Sequence, residues 1–333
     1  MSAYPANAVA RDRFVVDRRP PRQTHDPWHA QGILTEDERM SDGSVARLAT
    51  VFLTGRECPW RCLMCDLWQY TTAADTPTGA IAAQIADARA TLVDVEGVKL
   101  YNAGSFFDPR AVPECDYEEI ARHLAGLQRV IVESHPSLVG ARTSRFLEAL
   151  GRQRSVGTPS PALEVAIGLE TVHGAALERL NKKMTVEEFA VAAGRLRSLG
   201  VDLRVFLLVS PPFVPPSEQD HWLLRSVDAA CDAGATAIAL IPTRPGNGAL
   251  DAVAAEGYFQ PPTLADLERS LDLALSGVAG RGARIFADLW DLERLARCPH
   301  CCDARRERLR RTNLDQQQQP LVGCSHCSSP PVS

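Results

Sequence analysis

From about residue 46 onward, short apolar runs alternate with longer segments of helical periodicity. The runs are 48–53, 98–101, 130–132, 163–169, 203–209 and 237–241, and the helix-like segments between them lie near 77–91, 117–127, 138–150, 186–199 and 218–233. Six strands separated by helical crossovers predict parallel pairing, since a parallel neighbour cannot be reached by a tight turn. Runs that are apolar throughout predict strands buried on both faces. A run at 283–287 predicts a seventh strand. This α/β alternation fits a (β/α) barrel or an open doubly wound sheet, and periodicity leaves both open. Either architecture places its sites at the C-terminal ends of the strands, so chemistry is sought there.

The first strand ends at Thr54-Gly55 and is followed by Glu57-Cys58-Pro59-Trp60-Arg61-Cys62-Leu63-Met64-Cys65-Asp66. Three thiolates spaced C-x3-C-x2-C on one loop can hold three irons of a 4Fe–4S cluster. They could also supply most of a zinc site, or be buried thiols. A zinc site would want a fourth ligand nearby, and buried thiols are unexpected in threes on a loop rich in Arg and Glu. Other strand ends carry polar groups too. Asn102 and Gly104 follow the second strand, in a small-residue stretch where backbone can approach a ligand closely. Glu133 emerges from the third, beside His135, and a carboxylate there needs a partner such as a diol or an ammonium group. Glu170 ends the fourth strand, and Lys182 lies just before Thr185, which with Glu188 forms a helix capping box. Arg204 is a lone cation in an apolar strand and points either into a barrel or to a surface partner. Thr243, Arg244 and Asn247 follow the sixth run and are candidate substrate contacts at the barrel mouth.

The cysteine triplet resembles the signature of the radical S-adenosylmethionine (SAM) superfamily, with Met64 where that family usually carries an aromatic residue. The resemblance runs over residues 46–250 by strand and motif order. It implies a partial (β/α)6 barrel of the TIM type and a 4Fe–4S cluster on Cys58, Cys62 and Cys65 whose open iron chelates SAM. It further implies reductive cleavage of SAM to a 5′-deoxyadenosyl radical that takes hydrogen from substrate, with a flavodoxin- or ferredoxin-type electron donor. By the same resemblance Asn102 and Gly104 replace a Gly-Gly-Glu-like segment that meets the SAM amino group. Glu133 falls near the ribose, Glu170 falls at a SAM contact, and Lys182 falls where a cation can pair with the methionine carboxylate. The stretches Tyr101–Pro109, Val132–Pro136 and Ala166–Thr171 look most like the subgroup of elongator-type enzymes and the archaeosine-forming tRNA lyase partner. That favours a tRNA base as substrate over a small metabolite or peptide.

At 333 residues, the chain has room for one barrel-sized domain with small extensions. The divisions expected are an N-terminal extension at 1–45, a core barrel at 46–290 and a cysteine-rich extension and tail at 291–333. The Pro-, Arg- and Asp-rich start reads as a solvated, partly ordered arm. No apolar run approaches a membrane span and no signal-peptide h-region is visible, so a cytoplasmic protein without a membrane partner is expected. Ten cysteines in such a chain point to metal or redox use. A net charge of −5 gives no global attraction to nucleic acid. Cys298, Cys301, Cys324 and Cys327 form two C-x2-C knuckles that would close a tetrahedral zinc site or hold an auxiliary iron–sulfur cluster. Between them Arg305, Arg306, Arg308, Arg310 and Arg311 form a basic stripe, either a solvated helix face or a phosphate contact. A non-catalytic, zinc-dependent nucleic-acid-binding protein on a barrel scaffold is the rival function. It would leave the triplet and the strand-end carboxylates without a role.

Overall fold

The computed structural model describes residues 4–102, 104–153 and 160–327. Its elements run α1 (Ala8–Val16), β1 (Gly32–Arg39), β2 (Val45–Leu53), α2 (Ala80–Thr91), β3 (Gly97–Asn102), α3 (Tyr117–His123), β4 (Arg129–Glu133), α4 (Ala141–Arg152) and β5 (Ala162–Glu170). There follow α5 (Gly174–Arg179), α6 (Val186–Ser198), β6 (Asp202–Val209), α7 (Gln219–Asp232), β7 (Ala237–Pro242), α8 (Ala249–Ala255), α9 (Leu264–Gly277), β8 (Arg284–Ala287) and α10 (Pro299–Asp315). The strands form one sheet in the order β1 to β8, with β1 antiparallel to β2 and all later neighbours parallel. All seven predicted strands are present. The sheet is a curled half-barrel, as expected for a partial (β/α) barrel.

The strands' alternation sorts side chains to two faces. Val51, Leu100, Val132, Val165, Ile167, Val205, Leu207, Ile238 and Leu240 face outward into one core shared with the helices. The inward face is different. At its floor, the ends where the parallel strands begin, Arg204 pairs with Glu38 and Glu164, and Lys99 lies 2.6 Å from Glu38. Arg129 lies 2.7 Å from both Glu164 and Asp202. These groups come from β1, β3, β4, β5 and β6, which only a strongly curled sheet can bring together. Arg204 therefore does point into the barrel. Its partners are structural carboxylates at the floor, and the strands' C-terminal ends lie at the opposite end.

The N-terminal stretch expected as a solvated arm is folded onto the barrel. Strand β1 extends the sheet, and α1, capped by the Asn7 side chain, buries Phe14 and Val15 against Leu63, Leu250 and Phe259. The basic stripe is part of α10, and each of its five guanidinium groups already has a carboxylate. Arg305 pairs with Glu268, Arg306 with Glu293, Arg308 with Asp272, and Arg310 and Arg311 with Glu307. Arg306, Arg310 and Arg311 lie on a solvated face, as expected, whereas Arg305 and Arg308 are turned inward. No helix among the described residues is long and apolar enough to cross a membrane.

Candidate functional site

The cysteine loop leaves the C-terminal end of β2 and is pinned from three sides. The Leu63 amide donates to the Leu180 carbonyl at 2.9 Å, and the Asn181 side chain donates to the Arg61 carbonyl at 2.8 Å. The Asn247 side-chain amide donates to the carbonyls of Leu63 at 2.6 Å and Cys65 at 3.5 Å. Glu57, at the start of the loop, gathers Arg19, Arg22 and Arg61. Burial alone would raise its carboxyl, but these guanidinium groups hold it below the usual carboxylate range. The loop is thereby anchored by the N-terminal arm, by the segment before α6 and by the segment before α8.

Cys58, Cys62 and Cys65 are half-buried as residues, yet burial of the sulfurs is the main influence on all three thiols. It raises Cys58, drives Cys62 well above the ordinary thiol value and pushes Cys65 up to about 12. Cys58 and Cys65 also raise Cys62, and Cys58 raises Cys65. Water cannot easily deprotonate such a group, whereas a bound metal ion deprotonates coordinating thiols outright. Three thiols on one loop are soft donors of the kind that iron or zinc takes.

Beside the loop the structure brings together Glu170, Lys182 and His135, with Glu133 close enough to act on the Lys182 charge. Lys182 and Glu170 form a buried ion pair. Burial would lower the lysine, but Glu170 and then Cys62 raise it, so the net shift is upward and the ammonium form is held. The pair exists because β5 is irregular at its end. The register slips between Gly168 and Glu170, and Glu170 takes a left-handed φ of 66°. Such a bulge re-aims a side chain at the rim of a barrel. Gly168 is required for space: a Cβ there would lie 2.2 Å from both the Glu170 Oε1 and the Lys182 Nζ.

His135 stacks on Trp60 of the cysteine loop, with ring centroids 3.7 Å apart and planes 14° from parallel. Its Nε2 lies 3.1 Å from the Lys182 carbonyl oxygen and its Nδ1 lies 2.8 Å from the Ser137 hydroxyl. Burial, followed by the Lys182 charge, lowers it to about 4, so it is a neutral spacer between loop and lysine. A cleft of about 530 Å³ opens next to Glu170, lined by Ser210, Phe213, Trp222 and Tyr258 among others. Of the remaining predicted residues, Asn102 pairs through its backbone with Leu53 at the end of β3, and its side chain lies outside the described atoms. Gly104 is a half-buried bend just beyond. Thr243 and Asn247 are buried and bond to backbone, and Arg244 pairs with Asp288 at 2.8 Å. The sequence reading missed the Trp60–His135 stack and the anchoring role of Asn247. The signal available was that all three residues lie in the loops that follow β2, β4 and β7.

A second cysteine group stands at the N-terminus of α10. The Sγ atoms of Cys298, Cys301, Cys324 and Cys327 all lie within 4.8 Å of one another. Cys298 is 3.9 Å from Cys324, and Cys301 is 3.8 Å from Cys327. A single tetrahedral ion with metal–sulfur bonds of about 2.3 Å spaces its sulfurs about 3.8 Å apart. A cuboidal cluster would spread four thiolates wider. The group can therefore hold one metal ion.

No protein-family model matches the chain. Among solved structures it resembles Elp3 from Methanocaldococcus infernus, with a TM-score of 0.51 and 11% identity over 80% of this chain and 63% of that one. Coproporphyrinogen III oxidase from Escherichia coli, a radical SAM enzyme, aligns with a TM-score of 0.48 and 12% identity over 70% of this chain and 51% of that one. The fold is similar to that of Elp3. In sequence the chain is a distant homologue of archaeosine synthase subunit beta. It is 25% identical to the Methanosarcina acetivorans protein over 79% of this chain and 75% of that one. It is 28% identical to the Thermococcus kodakarensis protein over 48% of each chain.

Proposed function

We propose that the chain is a radical SAM enzyme whose cysteine loop holds a 4Fe–4S cluster through Cys58, Cys62 and Cys65. The observation that carries this reading is the Glu170–Lys182 pair, set over Gly168 and beside a loop of three thiols with raised proton affinity. When bound, the cluster supplies the electron that cleaves SAM reductively, so that hydrogen can be taken from a substrate. The chain's own residues do the holding. Lys182 offers its ammonium group to a carboxylate. Glu170 and Glu133 offer acceptors to an ammonium or a diol. Asn102 and Gly104 present backbone at the end of β3. The cleft beside Glu170 gives a bound ligand room to extend. The four C-terminal cysteines hold zinc in this reading, since their sulfur spacing suits a single ion.

The substrate favoured is a tRNA base, on the strength of the homology to archaeosine synthase subunit beta. A small metabolite is the alternative. An electron donor of the flavodoxin or ferredoxin type completes the reaction.

The test is 5′-deoxyadenosine formation by anaerobically reconstituted protein given SAM and dithionite, beside a Cys58→Ala/Cys62→Ala/Cys65→Ala variant. Product from the parent and none from the variant is expected. Absence of product from protein with a full cluster, with or without added tRNA, would sink the enzyme reading.

A further inference from the structure

The half-barrel has two edge strands, β1 and β8, and α10 packs on both. Its contact with β8 has an unusual form. The Ile285 amide donates to the Gln316 Oε1 at 2.7 Å, and the Gln316 side-chain nitrogen donates back to the Ile285 carbonyl at 2.7 Å. Two residues on, the Ala287 amide donates to the Asn313 Oδ1 at 2.8 Å and receives the Asn313 Nδ2 on its carbonyl at 2.9 Å. Two side-chain amides thus stand where the next strand would pair, satisfying an edge that would otherwise seek another chain. Toward β1, the Arg284 guanidinium donates to the Arg39 carbonyl at 2.8 Å. The helix is the cover of the barrel's seam.

Little apolar burial keeps it there. The buried residues of α10 are Cys301, Cys302, Arg308, Leu309 and Thr312, of which only Leu309 is aliphatic. Its other restraint is the chain that follows. Gln316 turns the backbone with a φ of 54° and the tail runs back along the helix. The Arg308 Nε donates to the Gln319 and Pro320 carbonyls at 3.1 Å on the way. A helix of 17 residues is about 25 Å long. The eight steps from Gln316 to Cys324 reach about 26–29 Å when extended. The return therefore brings Cys324 and Cys327 back to Cys298 and Cys301 with almost no slack, which accounts for the long spacer between the two knuckles. His300 and His326 stack across the junction at 4.1 Å.

We infer that a single zinc ion on Cys298, Cys301, Cys324 and Cys327 clasps the tail to the start of α10, and that this clasp holds the helix over the seam between β8 and β1. The inference rests on reading the four cysteines as a zinc centre, and its role is structural and local. The helix N-terminus suits such a site, because its backbone N–H groups face the negative charge of four thiolates.

The experiment uses the full-length Cys58→Ala/Cys62→Ala/Cys65→Ala variant, so that any metal found belongs to the second site. One zinc per chain and negligible iron are expected; iron, as one ion or a cluster, would overturn the zinc reading. Amide hydrogen exchange is then followed with zinc bound and after chelation, with a Cys324→Ser/Cys327→Ser variant in parallel. Protection of the Ile285 and Ala287 amides should fall about tenfold or more on zinc loss, while the central amides of β5 and β6 keep theirs. Zinc that can be removed without changing those two amides would overturn the clasp. Equal loss across all strands would overturn its local character, because zinc would then hold the whole fold.

Discussion

Glu170 and Lys182 were two separate candidates that the family resemblance implied, and their pairing was not legible in the sequence. It depends on a bulge and a left-handed φ at Glu170, and neither leaves a sequence signal in an otherwise regular apolar strand. Gly168 tests the pair. The atoms that an added Cβ would strike are the far ends of two flexible side chains, so Gly168→Ala should fold and displace the pair. SAM affinity measured by calorimetry should drop by about tenfold, equivalent to about 1.4 kcal/mol, with thermal stability nearly unchanged. Unaltered affinity would remove Glu170 and Lys182 from the site. His135 makes a separate prediction. Its folded value of about 4 lies below the ordinary 6.5, so the unfolded chain binds more protons between those limits. Stability should therefore be lost as pH falls from about 6.5 to 4, by at most about 3 kcal/mol. His135→Phe, which keeps a ring against Trp60, should show a flatter profile of melting temperature over that window. Identical profiles would contradict the assignment.

The elements of the central alternation were readable because their pattern is set by burial, outward against helices. The two ends of the chain were not, because they are held by polar contacts. Helix α1 carries alternating Arg and Asp and shows no broad apolar stripe, yet Phe14 and Val15 anchor it beside the cysteine loop. Strand β1 reads as polar because most of it is exposed, and its one buried side chain is Glu38. Asn247 looked like a substrate contact because it follows a strand. It is instead the brace that joins α8 to the cysteine loop, accepting the Leu250 amide at 2.7 Å while donating to Leu63 and Cys65. Asn247→Ala strips partners from buried backbone groups, at a cost of about 1–3 kcal/mol. The variant should show a lower urea midpoint and a lower iron content after reconstitution, with faster bleaching in air. Iron retention equal to the parent's would mean that the loop holds its shape without the brace.

At the scale of the whole molecule, the barrel separates stability from chemistry along its axis. Charged side chains fill the floor, and the thiols, Glu170 and Lys182 gather at the strand ends. Arg204 illustrates what the sequence could and could not tell. A lone cation in an apolar run marked the inward face, and its place as the third residue of β6 was the overlooked sign that it lies at the floor. Its carboxylate partners come from β1 and β5, whose meeting depends on sheet curl that no local pattern encodes. Buried ion networks are costly to break from one side, because the surviving charges lose their compensation. Arg204→Met leaves Glu164 with Arg129 and Glu38 with Lys99, but each loses a buried guanidinium partner. The variant should lose about 3–5 kcal/mol of unfolding free energy. At temperatures where it is still folded, 5′-deoxyadenosine formed per bound cluster should match the parent's, because the ion-pair partners of Arg204, Glu38 and Glu164, lie at the floor. A folded Arg204→Met protein with full cluster and much reduced turnover would show that the floor charges reach the site, and that the two ends of this barrel act as one unit.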